Sequence, residues 1–207
     1  VQEDYQRLTG RPAGVWMGYI ADGFFQSEEE IKNSPVMSNF TIRPGDIKYK
    51  DMNGDGVVDE YDKTVIGNDK PLSYFGFNLG FEFKGFELSA LIQGAYNRDI
   101  YLDAAGASYV QPFIGKDQAY GQAYELILNR WTPETANTAT FPRLSAGANI
   151  GFGLNTYNTN PGKLDNRTSF WVKSGNYIRL KNVYAASTLP DSFSRIYLGG
   201  VRVKLFV

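Results

Sequence analysis

Residues 74–83 read Tyr-Phe-Gly-Phe-Asn-Leu-Gly-Phe-Glu-Phe, with a large apolar side chain at every second position. Successive side chains of a strand point to opposite faces, so this alternation predicts a strand with one apolar face and one small or polar face. Lys84-Gly85 then reads as a two-residue turn, and residues 86–97 alternate in the same way. Residues 73–97 are therefore predicted to form a β-hairpin with two arms of about ten residues.

Two environments suit such a hairpin. In a soluble antiparallel sheet the apolar face covers a protein core, whereas in an outer-membrane barrel it meets lipid and the polar face lines a wet lumen. The arm length favours the barrel, because ordinary strands have about five or six residues and membrane strands about 9–11. Tyr74 is expected near one rim of the barrel, and Tyr96 and Tyr101 near the other, as parts of aromatic girdles.

A second informative stretch is residues 51–62, Asp-Met-Asn-Gly-Asp-Gly-Val-Val-Asp-Glu-Tyr-Asp, which has the spacing of a twelve-residue calcium loop. Calcium prefers six to eight oxygen ligands, and Gly56 stands where such a loop makes its sharp turn. The predicted calcium ligands are the side chains of Asp51, Asn53, Asp55, Asp59 and Asp62 and the backbone carbonyl of Val57.

The flanking sequence decides what kind of metal loop this would be. Residues 46–50 and 64–67 are strand-like, so the loop is predicted to stiffen a connection between strands and not to act as an EF-hand switch. Asp62 stands where the loop pattern has Glu; its side chain is one methylene shorter, which hinders bidentate binding and lowers the expected affinity. The alternative is an acidic, glycine-rich surface turn that binds no metal.

Composition excludes several classes of function. With 21 basic and 22 acidic residues the chain carries no basic footprint for nucleic acid. It has no cysteine and no histidine, which excludes disulfides, Ser-His-Asp catalysis and imidazole-bound zinc. Glu82 and Glu87 flank a turn where nothing builds a pocket, so they do not support a carboxylate-based hydrolase. The chain is therefore predicted not to be an enzyme.

No apolar run reaches the roughly 18 residues of a membrane-spanning helix. Residues 1–20 also lack the basic start and apolar core of a signal peptide. The chain is therefore expected to be either intracellular or a piece from inside a larger protein.

Long irregular regions separate the predicted strands. Residues 1–44 read as irregular apart from a short helix at Ser27–Asn33, which Ser27 and Glu30 would cap, and residues 147–162 read as exposed loop. A second short helix is predicted at Asp117–Arg130. Strands are predicted again within residues 176–188 and 195–207.

Three tryptophans, Trp16, Trp131 and Trp171, lie in stretches that read as loops. Exposed aromatic rings can stack on sugars, so Trp131 and Trp16 are candidate substrate-binding residues, although the same rings can simply pack loops together. The charged groups at Arg98-Asp99 and Asp165–Arg167 are predicted to be solvated loop charges.

Taken in order, these pieces resemble the C-terminal part of the SusC/RagA-type TonB-linked outer-membrane transporter family. The motifs span most of the chain. They are Gly18–Ser27, Pro44–Asp51 running into the acidic loop, Thr64–Gly67, Tyr74–Gln93, Arg130–Pro133, Phe141–Leu144, Ser174–Val183 and Thr188–Pro190.

The resemblance implies an all-β fold of antiparallel transmembrane strands with long extracellular loops, part of a plugged barrel of about 22 strands. Residues 73–97 and 176–207 would be barrel strands, and residues 1–72 and 98–175 extracellular loops. Such barrels lie in the Gram-negative outer membrane and import glycans or peptides. They work with a SusD-like surface lipoprotein and with TonB, which would act through the N-terminal part of the transporter.

The sequence departs from the family pattern near its end. Residues 192–195 run directly into 196–200, where the family usually has another strand, and Phe206 is penultimate where family chains end on Phe. One or two strands, the plug and the TonB box are therefore expected to be missing, and the chain alone is not expected to transport. The alternative function is a soluble calcium-binding β module that recognises carbohydrate.

Overall fold

The computed structural model describes residues 4–102, 125–147, 151–153, 155–159, 167–188 and 204–206. Most regular structure within these ranges is β-strand, and most strand pairs are antiparallel, so the predicted all-β fold class is confirmed. The chain divides into two units, Val1–Lys70 with Asp99–Lys173 and Pro71–Arg98 with Ser174–Val207.

The strands are short in the first unit and mostly long in the second. In chain order they are β1 (Val15–Tyr19), β2 (Ala21–Phe24), β3 (Ile47–Tyr49), β4 (Thr64–Asn68), β5 (Ser73–Phe83), β6 (Phe86–Tyr96), β7 (Asp99–Tyr101), β8 (Ser145–Gly147), β9 (Gly151–Gly153), β10 (Arg167–Thr168), β11 (Val172–Ser174), β12 (Tyr177–Thr188) and β13 (Lys204–Phe206). The described α-helices are α1 (Glu28–Lys32) and α2 (Thr156–Thr159), and single 3₁₀ turns lie at Asp4–Gln6, Glu60–Asp62, Glu125–Asn129 and Ser169–Trp171.

The first unit contains a three-stranded sheet in which β1 pairs antiparallel with β4 and parallel with β10. Smaller antiparallel pairs join β2 to β3 and β8 to β9. Its main core is aromatic and aliphatic, with these buried side chains: Tyr19, Phe25, Met37, Ile42, Ile47, Tyr49, Val58 and Tyr157. Because β1 and β2 lie within residues 1–44, the prediction that this stretch is irregular was wrong.

Helix α1 confirms the short helix predicted at Ser27–Asn33. The Ser27 Oγ accepts a hydrogen bond from the Glu30 backbone N–H at 3.1 Å. The Glu30 carboxylate reaches back one residue further than a capping box requires and accepts from the Gln26 N–H at 2.7 Å.

A buried carboxylate holds distant parts of the first unit together. Asp46 is fully buried, and its Oδ1 lies 2.7 Å from the Arg143 Nε. The same oxygen accepts from the Asn155 Nδ2 at 3.0 Å and from the Asn158 Nδ2 at 2.9 Å. Because a buried charge is tolerated only when it is paired and hydrogen-bonded, these contacts fix where the later segments lie on the core.

Asn158 continues this network on the other side. Its Oδ1 accepts from the Ile47 N–H at 2.8 Å, and its backbone carbonyl accepts from the Trp171 Nε1 at 2.8 Å. Asn158 and its neighbours Tyr157 and Thr159 are buried, so the prediction that residues 147–162 are exposed loop was wrong over α2.

The helix predicted at Asp117–Arg130 is tested only in part, since residues 117–124 lie outside the described residues. From residue 125 onward the chain forms the 3₁₀ turn Glu125–Asn129, with Ile127 packed against Phe141 and Trp171.

The second unit contains a four-stranded sheet in the order β13-β12-β6-β5. The predicted hairpin is confirmed, since β5 and β6 pair without interruption from Ser73 opposite Tyr96 to Phe83 opposite Phe86. The connecting Lys84 and Gly85 have φ of 49° and 80°, the positive values of a type I′ hairpin turn. Strand β12 confirms the prediction for residues 176–188. Of the last predicted segment, 195–207, residues 204–206 form β13, and residues 195–203 and 207 lie outside the described residues.

A β-bulge in β12 keeps its apolar residues on one face. Leu180 pairs with Ile92 and Asn182 with Leu91, so Lys181 is an extra residue without a partner in the register. Apolar side chains occupy even positions before the bulge (Ile178) and odd positions after it (Val183). The extra residue reverses the alternation at the point where the sequence reverses it, so both sets share a face with Ile92.

Candidate functional site

The acidic loop 51–62 lies between β3 and β4, as its flanking sequence predicts. Gly54 and Gly56 have φ of 76° and 89°, which only glycine adopts without strain, so both glycines are needed for the turn. The loop is attached to the core through Val58, which is buried and whose N–H donates to the Val36 carbonyl at 3.3 Å.

The loop folds around its own oxygen atoms. Asn53, Asp55 and Asp59 each accept, through a side-chain oxygen, the N–H of the residue two positions on, at 3.0, 2.9 and 2.8 Å. Asp51 accepts from the N–H groups of Gly54 at 2.6 Å and Gly56 at 2.8 Å. The side chains that would bind a metal thus shape the loop.

Asp62 closes the loop from its other end. Its side chain is fully buried, with Oδ1 accepting from the Met52 N–H and Oδ2 from the Asp59 N–H, both at 2.7 Å. Burial raises the pKa of Asp62, against the effect of these donors and with a further contribution from the charge of Asp51.

Burial by itself would also raise the pKa of Asp51, but the N–H donors of Gly56, Gly54 and Asp55 outweigh it and lower that pKa. At neutral pH Asp51 is therefore a charged oxygen donor.

The residues of the acidic loop suit calcium in the chemistry of their oxygen atoms but not in the positions of those atoms. In chemistry they fit, because carboxylate, amide and carbonyl oxygens are the ligands that calcium takes. In position they do not yet converge: across the described ranges, no three acidic side chains are grouped closely enough to hold a metal ion. The oxygens of Asp51 and Asp62 point at backbone N–H groups, so calcium would have to turn them toward a common centre. The calcium site of the sequence analysis stays a prediction.

Of the two candidate substrate-binding tryptophans, Trp131 is covered. It is 9% exposed, and its Nε1 donates to the Gln26 Oε1 at 3.1 Å. Its ring lies so close to Gly45 that an added Cβ there would be 2.5 Å from the Trp131 Cε3. These contacts favour the interpretation that Trp131 packs loops together, as does Trp171, which is 2% exposed.

Trp16 is half-buried and lies in β1, not in the loop that the sequence suggested. Its ring meets the Tyr101 ring edge-on at 5.9 Å between centroids, and the Arg167 guanidinium lies 5.2 Å from its centre. Arg167 was predicted to be a solvated loop charge, which the structure corrects. No local signal links residues 16, 101 and 167, because only the fold brings them together. The role of Trp16 and Trp131 in substrate binding stays a prediction.

The second candidate functional surface is the apolar face of the β5-β6-β12 sheet. Its large side chains are exposed, for example Phe77 at 59%, Phe81 at 59% and Ile178 at 74%. The register places these members of the three strands on one face: Phe75, Phe77, Leu79, Phe81, Phe83, Phe86, Leu88, Ala90, Ile92, Ile178, Leu180, Val183 and Ala185. The opposite face carries Asn78, Gln93 and Arg179, whose Nη2 donates to the Gln93 Oε1 at 3.2 Å.

One expectation about the rims was wrong. Tyr74 and Tyr96 lie at the same end of the hairpin, because antiparallel pairing puts the start of β5 beside the end of β6. Both rings are exposed, and Tyr101 belongs to the first unit. Within the described ranges, no helix is long and apolar enough to cross a membrane.

Comparison with known proteins finds relatives along most of the chain. No family model matches it. It is 28% identical over 183 residues to TonB-dependent receptor P26 of Formosa agariphila, covering 88% of this chain and 16% of the receptor. TonB-dependent receptor P3 of the same organism is 26% identical over 206 residues, covering 95% of this chain and 18% of the receptor. TonB-dependent receptor P39, also of that organism, is 39% identical over 164 residues, covering 77% of this chain and 14% of the receptor. The chain thus spans less than a fifth of the length of these relatives.

A solved structure agrees in fold. The RagAB peptide importer in its open-open state matches with a TM-score of 0.53 and 17% identity, over 93% of this chain and 18% of that chain.

Proposed function

We propose that this chain, a segment of a SusC/RagA-type TonB-dependent transporter, forms part of an importer in the Gram-negative outer membrane. Residues 73–97 and 176–207 supply barrel strands, and residues 1–72 and 98–175 supply extracellular loops. The importer takes up glycans or peptides, together with a SusD-like surface lipoprotein and with energy delivered through TonB. Support comes from receptors whose names include TonB dependence and from the fold of a peptide importer.

The observation that carries this proposal is the continuous apolar face of β5, β6 and β12. Contiguous exposed apolar surface is rare on soluble monomers and is normally covered by a partner or a membrane. Here the strands have 11, 11 and 12 residues, which matches the roughly 9–11 residues of a tilted membrane strand. The bulge at Lys181 keeps β12 in this pattern, as expected where one face must stay in lipid.

Spin labels on alternate residues of β5 test the orientation. In a full-length transporter whose other cysteines have been replaced, Leu79→Cys and Phe81→Cys place labels on the apolar face, and Asn78→Cys and Gly80→Cys are matched controls on the other face. In the full-length transporter in lipid, we expect the first pair to be accessible to oxygen and the second to a water-soluble nickel complex. Water exposure or tight protein packing at Leu79 and Phe81 would refute the barrel and favour a soluble β module.

That soluble alternative makes its own prediction. A calcium-binding module that recognises carbohydrate would stay monodisperse without detergent, and Trp131→Ala would abolish glycan binding. The burial of Trp131 makes the second result unexpected.

We also propose that residues 51–62 bind calcium as a structural ion. The donor types and their spacing support it, as do the turns that already bend the loop around its oxygens. Terbium, which takes calcium sites, can be sensitised by the exposed Tyr61 within the loop. We expect terbium emission from the full-length protein that calcium displaces, and its loss in Asp55→Asn. Glu60→Gln is the control, since Glu60 is exposed and stands outside the donor pattern. Equal emission from Asp55→Asn and wild type would refute the site.

A further inference from the structure

The cluster formed by Trp16, Tyr101 and Arg167 presents a positive charge held by aromatic rings. The Arg167 guanidinium lies 5.2 Å from the centre of the Trp16 ring and 5.3 Å from that of Tyr101. All three side chains are half-buried, so one side of the cluster meets solvent. The residues come from β1, β7 and β10, which the first unit brings together.

Close backbone packing fixes this arrangement. Gly18 in β1 pairs with Arg167, and an added Cβ on Gly18 would lie too close to the Arg167 carbonyl oxygen, so only glycine lets β10 approach. On the other side, a Cβ on Gly67 would lie 3.0 Å from the Trp16 Cε3 and 3.1 Å from the Asp99 Oδ2. The ring of Trp16 therefore has little freedom, and the guanidinium above it is preorganised.

Within the described part of the chain, the contacts found for Arg167 use the face of its guanidinium. Cation–π contacts leave the five donors at the edge of the group free for a planar anion. Across the described residues, no ion pair to Arg167 is found within 4.0 Å, whereas Arg143 pairs with Asp46. The nearby Asp99 carboxylate accepts from the Asn68 N–H at 3.0 Å instead.

Resting on the proposed import function, we infer that Trp16, Tyr101 and Arg167 form a subsite for an acidic sugar unit. Its carboxylate would accept paired hydrogen bonds from the N–H groups of the Arg167 guanidinium. The apolar C–H groups of its sugar ring would lie against the aromatic side chains. A pyranose acid offers an anion and an apolar face one bond apart, which matches a guanidinium flanked by two rings. A peptide would instead be bound by main-chain pairing along a strand edge, and β10 offers only two residues.

Calorimetry on the purified full-length transporter tests this subsite. The probes are tetragalacturonate, neutral tetragalactose and, for the peptide case, tetraglutamate. We expect tetragalacturonate to bind at least about tenfold more tightly than tetragalactose, since a hydrogen-bonded charge pair supplies that much. Arg167→Gln should remove this preference, and Arg167→Lys should restore part of it, because lysine keeps the charge but not the fork. The control Arg7→Gln makes the same charge change at an exposed arginine and should alter nothing.

Three outcomes would overturn the inference: equal binding of both sugars by the wild type, unchanged preference in Arg167→Gln, or Arg167-dependent binding of tetraglutamate without tetragalacturonate. If Arg167→Gln does not assemble, the salt dependence of binding by the wild-type transporter tests the subsite instead. Added salt should weaken the binding of tetragalacturonate and leave the binding of tetragalactose unchanged. Equal effects of salt on the two sugars would count against the subsite.

Uptake by cells separates this inference from the proposed function. Binding of tetragalacturonate without TonB-dependent uptake contradicts import alone. Uptake that does not depend on Arg167 contradicts the subsite alone.

Discussion

Asp46 shows how one side chain organises the first unit. It is buried and paired with the half-buried Arg143, and three further N–H donors from Arg43, Asn155 and Asn158 complete its hydrogen bonds. The pattern Pro44–Asp51 identifies the segment but does not predict this role. Arg143, Asn155 and Asn158 lie about a hundred positions away in sequence. Long-range contacts of this kind are what sequence periodicity cannot supply.

Replacing Asp46 by Asn tests the network. The change leaves the half-buried Arg143 charge without a counter-charge, and breaking a fully buried pair in this way costs about 3–5 kcal/mol, which is the upper limit here. We expect a lower denaturant midpoint for the full-length protein in detergent, followed by tryptophan fluorescence. Asp22→Asn, at an exposed position of β2, is the control. If the two variants unfolded alike, the network would not be important for stability.

Glu30 gives a pH dependence of known sign. The Gln26 N–H is the largest influence and lowers the pKa of Glu30; burial opposes it, and Lys48, 2.9 Å away, assists it. Because the folded pKa is lower than the unfolded one, the stabilisation is present above the unfolded pKa and is lost as pH falls through the folded pKa.

We therefore expect Glu30→Gln to lower the free energy of unfolding by up to about 1 kcal/mol at pH 7 and by less near pH 3. The effect is no larger because the Glu30 side chain is partly exposed to solvent. Denaturant unfolding at both pH values measures this, with Glu29→Gln in the same helix turn as control. A difference that grew as the pH fell would contradict the assignment.

At the scale of elements, the hairpin and the acidic loop differ in how far sequence determines them. The alternation of residues 74–83 and the two-residue turn at Lys84-Gly85 predict strand, turn and register together, and the structure has all three. The loop pattern predicts where the chain turns. It does not predict that the carboxylate oxygens of Asp51 and Asp62 accept hydrogen bonds from backbone N–H groups. The short strands β1 and β2 escape prediction because their pairing partners are distant and their own alternation is brief.

Deleting Lys181 tests whether the bulge matters. Without the extra residue, either Ile178 and Leu180 or Val183 and Ala185 must turn to the polar face, since a one-residue shift reverses every side chain. We expect the deletion to prevent assembly of the full-length barrel, measured as loss of the heat-modifiable band in gels. Lys181→Ala keeps the residue count and should assemble normally. Normal assembly of the deletion variant would mean that β12 does not hold a lipid-facing register.

At the scale of the whole molecule, the resemblance to SusC/RagA-type transporters is confirmed, and the two units explain why the motifs alternate along the chain. Each unit is assembled from two separated stretches of sequence, so strand-like and loop-like motifs interleave. Local pattern is strong in the second unit, where a face must be uniformly apolar. It is weaker in the first, where buried polar contacts such as those of Asp46 decide the packing.

The two-residue turn at Lys84-Gly85 also affects the order in which the strands of the second unit pair during folding. Closing so short a loop costs little chain entropy, and hairpins form within about 1–10 μs, so β5 and β6 can pair as soon as both exist. Strand β12 must instead pair with β6 across the intervening residues 97–176, which is far slower. During that interval the β6 edge is an open template. A chaperone or assembly machine that recognises unpaired strand edges could therefore bind the β6 edge before β12 pairs with it.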